Sequence, residues 1–153
     1  MNKGKIGLAV LVLAFGGVIG VSSTQNKECI NLYVDYGVLE QAIFDKCISS
    51  TSDIKAIDLL KNNNFTLQGT EKYGDNVVCR LNGLPTAKDE TCKDMPSENA
   101  YWALLEKRRQ MINIPFIDNG YTWAQVGVAD LVLSPGDSLA LVFASNGNVK
   151  FPD

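Results

Sequence analysis

Apolar and polar residues alternate from Ile30 to Asp35, with Ile30, Leu32 and Val34 on one side and Asn31, Tyr33 and Asp35 on the other. A period of two, broken by Tyr36-Gly37, predicts a half-buried strand. Val38 to Ile48 suits either a helix or a returning strand by residue type. Beyond it the period changes. Ile54, Ile57 and Leu60 are spaced as one helical face, Lys55, Asp58 and Lys61 take the other side, and Ser50-Thr51-Ser52-Asp53 offers N-cap oxygens. Asn62-Asn63-Asn64 ends this helix. The remainder reads as strand and turn: Phe65 to Leu67, Val77 to Leu81, Tyr101 to Leu105, Tyr121 to Val126, Leu131 to Leu133 and Ser138 to Phe143. Tyr73-Gly74-Asp75-Asn76 suits a turn between the first two of these, and Pro135-Gly136-Asp137 suits a tight turn before the last, with Gly136 at positive φ. Leu104 to Gly120, which holds Lys107-Arg108-Arg109, reads as an irregular excursion between two strands.

The N-terminus has a different pattern. Lys3 and Lys5 precede a charge-free apolar run from Ile6 to Val21, and Val21-Ser22-Ser23 supplies small residues for a signal peptidase. Residues 1–23 are therefore expected to be a signal peptide and 24–153 a single exported domain. The run falls short of the roughly 20 residues that span a bilayer comfortably, so membrane association is expected only if the leader is retained. The leader carries two of the 14 basic residues and none of the 17 acidic ones, which leaves the rest of the chain at −5. That balance argues against nucleic acid as a partner, since backbone binding needs a basic surface. Lys107-Arg108-Arg109, the one tight basic cluster, reads as a solvated segment.

Cys29, Cys47, Cys79 and Cys92 all lie in the exported part, where an even count reads as two disulfides with three connectivities open. Zinc is disfavoured, because no close cysteine pair and no histidine occurs. The absence of histidine also removes Ser-His-Asp and Cys-His hydrolases. Asp35, Asp58, Asp75, Asp118, Asp130 and Asp137 show no spacing that pairs two carboxylates; Asp75, Asp130 and Asp137 read as organisers of turn amides. No phosphate loop, dinucleotide fingerprint or calcium loop is present, so neither an enzyme nor a cofactor is expected. The aromatic residues are the candidate ligand-binding set: Tyr101, Trp102, Tyr121 and Trp123 on two neighbouring strands. Adjacent strand residues face opposite sides, so Trp102 and Trp123 are expected in the core and Tyr101 and Tyr121 toward solvent.

Cys79-Arg80-Leu81-Asn82-Gly83, Cys92, Tyr101-Trp102, Trp123-Ala124-Gln125-Val126-Gly127, and Pro135-Gly136-Asp137 before the run Ser138 to Phe143 come in an order that resembles the transcobalamin-like C-terminal domain. That family is a small β-grasp module of bacterial surface and secreted proteins and of animal cobalamin carriers. The resemblance spans about residues 30 to 143. It implies an α+β, β-grasp-like fold, with one helix packed on a mixed, mainly antiparallel sheet and two disulfides. The sequence-local pairs Cys29 with Cys47 and Cys79 with Cys92 agree with it, the second clipping a loop. Return of Cys47 to Cys29 then makes Val38 to Ile48 a hairpin strand. The large helical barrel that completes the carriers is not in this chain, and Ala103-Leu104 stands where the family often has asparagine-glycine after its tryptophan. The expected function is that of a secreted or cell-surface, non-catalytic ligand-binding or accessory module. Its partner would be a corrinoid-like or other small molecule, or a glycan. The competing expectation is a cell-envelope structural or interaction protein that binds another surface protein.

Overall fold

A computed structural model describes residues 28–110 and 120–153. The leader, its cleavage position, and Asp118 with the centre of the Leu104 to Gly120 excursion lie outside the described residues. Strand β1 (Cys29–Asp35) follows the alternation of its sequence, with Ile30, Leu32 and Val34 fully buried. Asp35 then accepts the Gly37 N–H at 2.8 Å, and a short 3-10 turn (Gly37–Leu39) reverses the chain. Strand β2 (Phe44–Ser49) pairs antiparallel with β1, Ile30 opposite Ile48 and Val34 opposite Phe44. Only the second half of the Val38 to Ile48 segment is therefore a strand. The Cys29–Cys47 disulfide ties the open end of this hairpin.

The polar run Ser50 to Asp53 does not cap the helix. Ile54–Lys55 forms a short strand, β3, and helix α1 begins after it at Ala56 and ends at Asn62, with Lys55 as an N-cap that makes no side-chain bond. Pairing of β3 with Val132–Leu133 (β8) outcompetes local capping, because it holds the helix entrance in place. The Ala56 and Ile57 N–H groups donate to the Leu131 and Val128 carbonyls at 2.8 and 3.1 Å, which occupies two of the orphan donors of the first turn. The asparagine run ends the helix as expected: the Asn63 amide donates to the Leu59 carbonyl and Asn64 is left-handed at φ 66°.

Phe65 is a core residue, not a strand residue, and β4 (Leu67–Thr70) starts two positions later. Its antiparallel partner β5 (Gly74–Leu81) reaches further back than its apolar run suggested, taking in residues expected in the turn. The Cys79–Cys92 disulfide clips the loop that follows. Strand β6 (Ala100–Lys107), the two-residue strand β7 (Thr122–Trp123) and β9 (Ser138–Ser145) complete a five-stranded sheet in the order β2-β1-β9-β6-β7. In it β9 lies parallel to β1 and antiparallel to β6. Thus one helix packs on a mixed, mainly antiparallel sheet with two disulfides.

The core lies between the sheet and α1. Ile30, Leu32 and Val34 of β1, Leu139, Leu141 and Phe143 of β9 and Trp102 of β6 meet Ile57 and Leu60 of the helix, together with Leu131 and Leu133. Each such aliphatic side chain contributes about 1.5 to 3 kcal/mol relative to exposure. Entry into β9 is set by the turn Ser134 to Asp137. Gly136 sits at φ 95°, as a type II turn requires, and the Asp137 N–H donates to the Ser134 carbonyl at 2.9 Å. The buried Asp137 carboxylate accepts the N–H groups of Ser134 and Arg109, each at 2.8 Å, and pairs with the Arg108 guanidinium at 3.0 Å. Arg108 also pairs with Glu106, and Arg109 with Glu28. Arg108 and Arg109 are thus paired with acids where the chain leaves β6 beside this turn, while their side chains stay about half-exposed to solvent.

Candidate functional site

Strand β7 pairs with β6 for only two residues, Leu105 with Trp123 and Glu106 with Thr122, and a last bond runs from the Ala124 N–H to the Leu104 carbonyl. The chain then leaves the sheet edge. Gly127 packs so closely on β5 that a Cβ there would lie 2.4 Å from the Asn76 carbonyl oxygen, and only glycine permits that approach. The Asn76 amide donates to Asp130 at 3.0 Å and fastens the same loop. This departure shortens the expected Tyr121 to Val126 strand. It also opens a groove between β5 and the first half of β6.

The groove consists of two adjoining hollows, of about 280 and 510 Å³. Both are lined by Val77, Val78, Met95 and Trp102; Pro96, Glu98 and Tyr101 extend one, and Trp123, Val126 and Asp130 extend the other. Trp102 forms the floor. It is 6% exposed, stands edge-on to Tyr36 and Phe143 with centroids 5.2 and 5.3 Å away, and donates its Nε1–H to the Leu84 carbonyl at 3.1 Å. Burial raises the Tyr36 phenol above its ordinary pKa, partly countered by the bond from the Asn82 amide. By contrast the upper wall is open: Met95 is 60% and Val126 48% exposed.

Trp102 is in the core, as its alternation suggested. Trp123 is not: at 45% exposure it lies on the other side of the sheet, stacked on Tyr101 at 6.5 Å and edge-on to Phe151 at 6.0 Å. The reason is its strand, which is too short and too near the sheet edge to be covered. Tyr101 is half-buried between that stack and the groove. Tyr121 does not join the other three. It precedes β7 and packs half-buried against Leu105, Ala140 and Val142, where burial foremost, and the Asp45 charge, raise its pKa while a bond with Ser138 lowers it. It faces a small polar hollow with Tyr33, Asp45 and Asp153 instead. Sequence reasoning missed Met95, Val77 and Val126; they are apolar residues whose exposure depends on a strand that is not there.

Among the described residues no group of three or more Cys, Asp or Glu side chains is placed to hold a metal ion, and no helix is long and apolar enough to cross a membrane. The chain matches no family model, no curated protein and no solved structure.

Proposed function

We propose that this is an exported, non-catalytic binding module of transcobalamin-like, β-grasp kind, whose ligand lies in the groove between β5 and β6. The observation that carries it is the combination of a rigid buried floor, Trp102, with a freely exposed apolar wall, Met95 and Val126. Contiguous apolar surface left open beside polar rims marks a binding surface. The hairpin, the helix crossing one face and the return of β9 beside and parallel to β1 support the β-grasp reading. Two disulfides are consistent with an extracytoplasmic address. Tyr101 and Trp123 supply stacking area at the groove's ends, whereas Tyr121 is set aside. Titration of the protein with cobalamin and with a panel of glycans, followed by tryptophan fluorescence and calorimetry, tests the reading. Saturable binding that Trp123→Ala weakens at unchanged fold is the expected result; saturable binding indifferent to Trp123→Ala and Met95→Asp overturns the site.

A second reading, a cell-envelope interaction protein, is favoured by one observation elsewhere. Among the described residues the outer edge of β2 is unpaired in the sheet, and Ile43, which leads into that strand, is 55% exposed. Ile43→Lys, which places a charge at this edge, combined with partner capture on whole cells, would separate this edge from the groove.

A further inference from the structure

The groove is also a place in the sheet where a strand is missing. Along β6 the odd residues bond to β9, and the even ones turn toward β7, as the bond accepted by the Leu104 carbonyl shows. Because β7 ends at Trp123, no strand among the described residues pairs with β6 at Trp102, and its outward N–H and C=O belong to no ladder there. Strand β5 faces this edge across the groove but, among the described residues, pairs with β4 alone. Among the described residues the lining contains two carboxylates, Glu98 at one end and Asp130 at the other, and no lysine or arginine.

We infer that the occupant of the groove is an extended segment of a protein partner, added as a strand to the β6 edge opposite Trp102, with an apolar residue over Trp102 and Met95 and basic residues toward Glu98 and Asp130. This rests on the groove being the binding site, and names its ligand class. Strand addition satisfies the backbone groups that β7 leaves unpaired, and alternate side chains then fall into the groove or outward. Opposite charge at the two ends selects a cationic segment and disfavours an acidic one. A planar small molecule could use Trp102 and Met95, but it would leave the outward Trp102 N–H and C=O unused.

Panning a random heptapeptide display library against the whole protein, followed by synthesis of the enriched peptide, is the test. The expected peptide alternates apolar and polar residues and carries lysine or arginine. N-methylation of every second backbone nitrogen should abolish binding in one register and be tolerated in the other, the signature of a strand bonded along one edge. Glu98→Gln and Asp130→Asn should each weaken binding about 2- to 5-fold, as exposed ion pairs do. Circular dichroism of both variants checks that the fold is kept. An acidic consensus, no enrichment over a disulfide-matched control protein, or equal effects of N-methylation in both registers overturns the inference. If cobalamin or a glycan binds saturably and Trp123→Ala weakens it while no peptide is enriched, the peptide inference fails and the binding-module reading stands. Failure of both experiments removes both.

Discussion

Replacing each tryptophan by alanine should separate the floor of the groove from its rim. Trp102 is 6% exposed, touches Tyr36 and Phe143 edge-on, and holds the Leu84 carbonyl through its Nε1–H. Trp102→Ala removes the largest side chain of this core and leaves a cavity, which costs about 3 to 5 kcal/mol for a buried aromatic. Loss of the bond to Leu84 falls within that range, because the same carbonyl still accepts the Leu81 N–H at 2.8 Å. Trp123 is 45% exposed and, among the described residues, has Tyr101 and Phe151 as ring partners, at 6.5 and 6.0 Å. Trp123→Ala should therefore cost about 1 kcal/mol, the scale of an aromatic pair with partial burial. Urea denaturation monitored by far-ultraviolet circular dichroism, with the slope held common to all variants, gives both numbers. Equal losses for the two variants, or a Trp102→Ala loss under about 1.5 kcal/mol, would refute the assignment of floor and rim.

The buried Asp137 carboxylate accepts two backbone N–H groups and the half-exposed Arg108 guanidinium, so Asp137→Ala should lose about 2 to 4 kcal/mol, mainly because the two turn N–H groups lose a charged acceptor. The same denaturation experiment checks it; a loss below about 1 kcal/mol would mean the turn is held by Pro135 and Gly136 alone. The Cys79→Ser, Cys92→Ser double variant should lose about 3 kcal/mol in the chain-entropy account of a loop this size, and hydrogen exchange should speed up in residues 80–91 more than in β1 and β9. Tyr33, Tyr36 and Tyr121 all have pKa values raised above the ordinary 10.0, burial being the largest cause for each. A raised pKa means the folded state holds the proton more tightly, so this contribution to stability is intact below the unfolded value near 10 and is lost as pH rises through the folded values. Ultraviolet titration should show a late tyrosine fraction that coincides with alkaline unfolding; ionisation of all five tyrosines near pH 10 without loss of fold would contradict it.

Local chemistry was legible wherever one element depended on its own residues. The alternation of Ile30, Leu32 and Val34, the asparagine stop after Leu60 and the Pro135-Gly136-Asp137 turn all stand as read, because burial period, left-handed tolerance and positive φ are properties of those residues themselves. Both sequence-local disulfides form as well. Reading failed where a distant partner decided. Ile54 has a helical position by spacing, yet pairing with Leu133 draws it into a strand and shifts the helix start to Ala56. Ser50 to Asp53 could cap a helix, but the Leu131 and Val128 carbonyls had already taken the donors.

The candidate site was legible to the same extent and for the same reason. That one of Tyr101 and Trp102 faces the core follows from strand geometry, and the structure places Trp102 there. Which way Trp123 faces depends on how long β7 continues, and that is set by Gly127 against Asn76 and by Asn76 against Asp130, contacts across about 50 residues of sequence. The same contacts create the groove. Had the chain from Ala124 to Val126 continued along β6, it would have paired with Trp102, covered Met95 and left no unpaired edge beside β5. A binding surface made by the early end of one strand is invisible to periodicity, since the residues that line it are ordinary core types. Their meaning comes from the neighbour they lack.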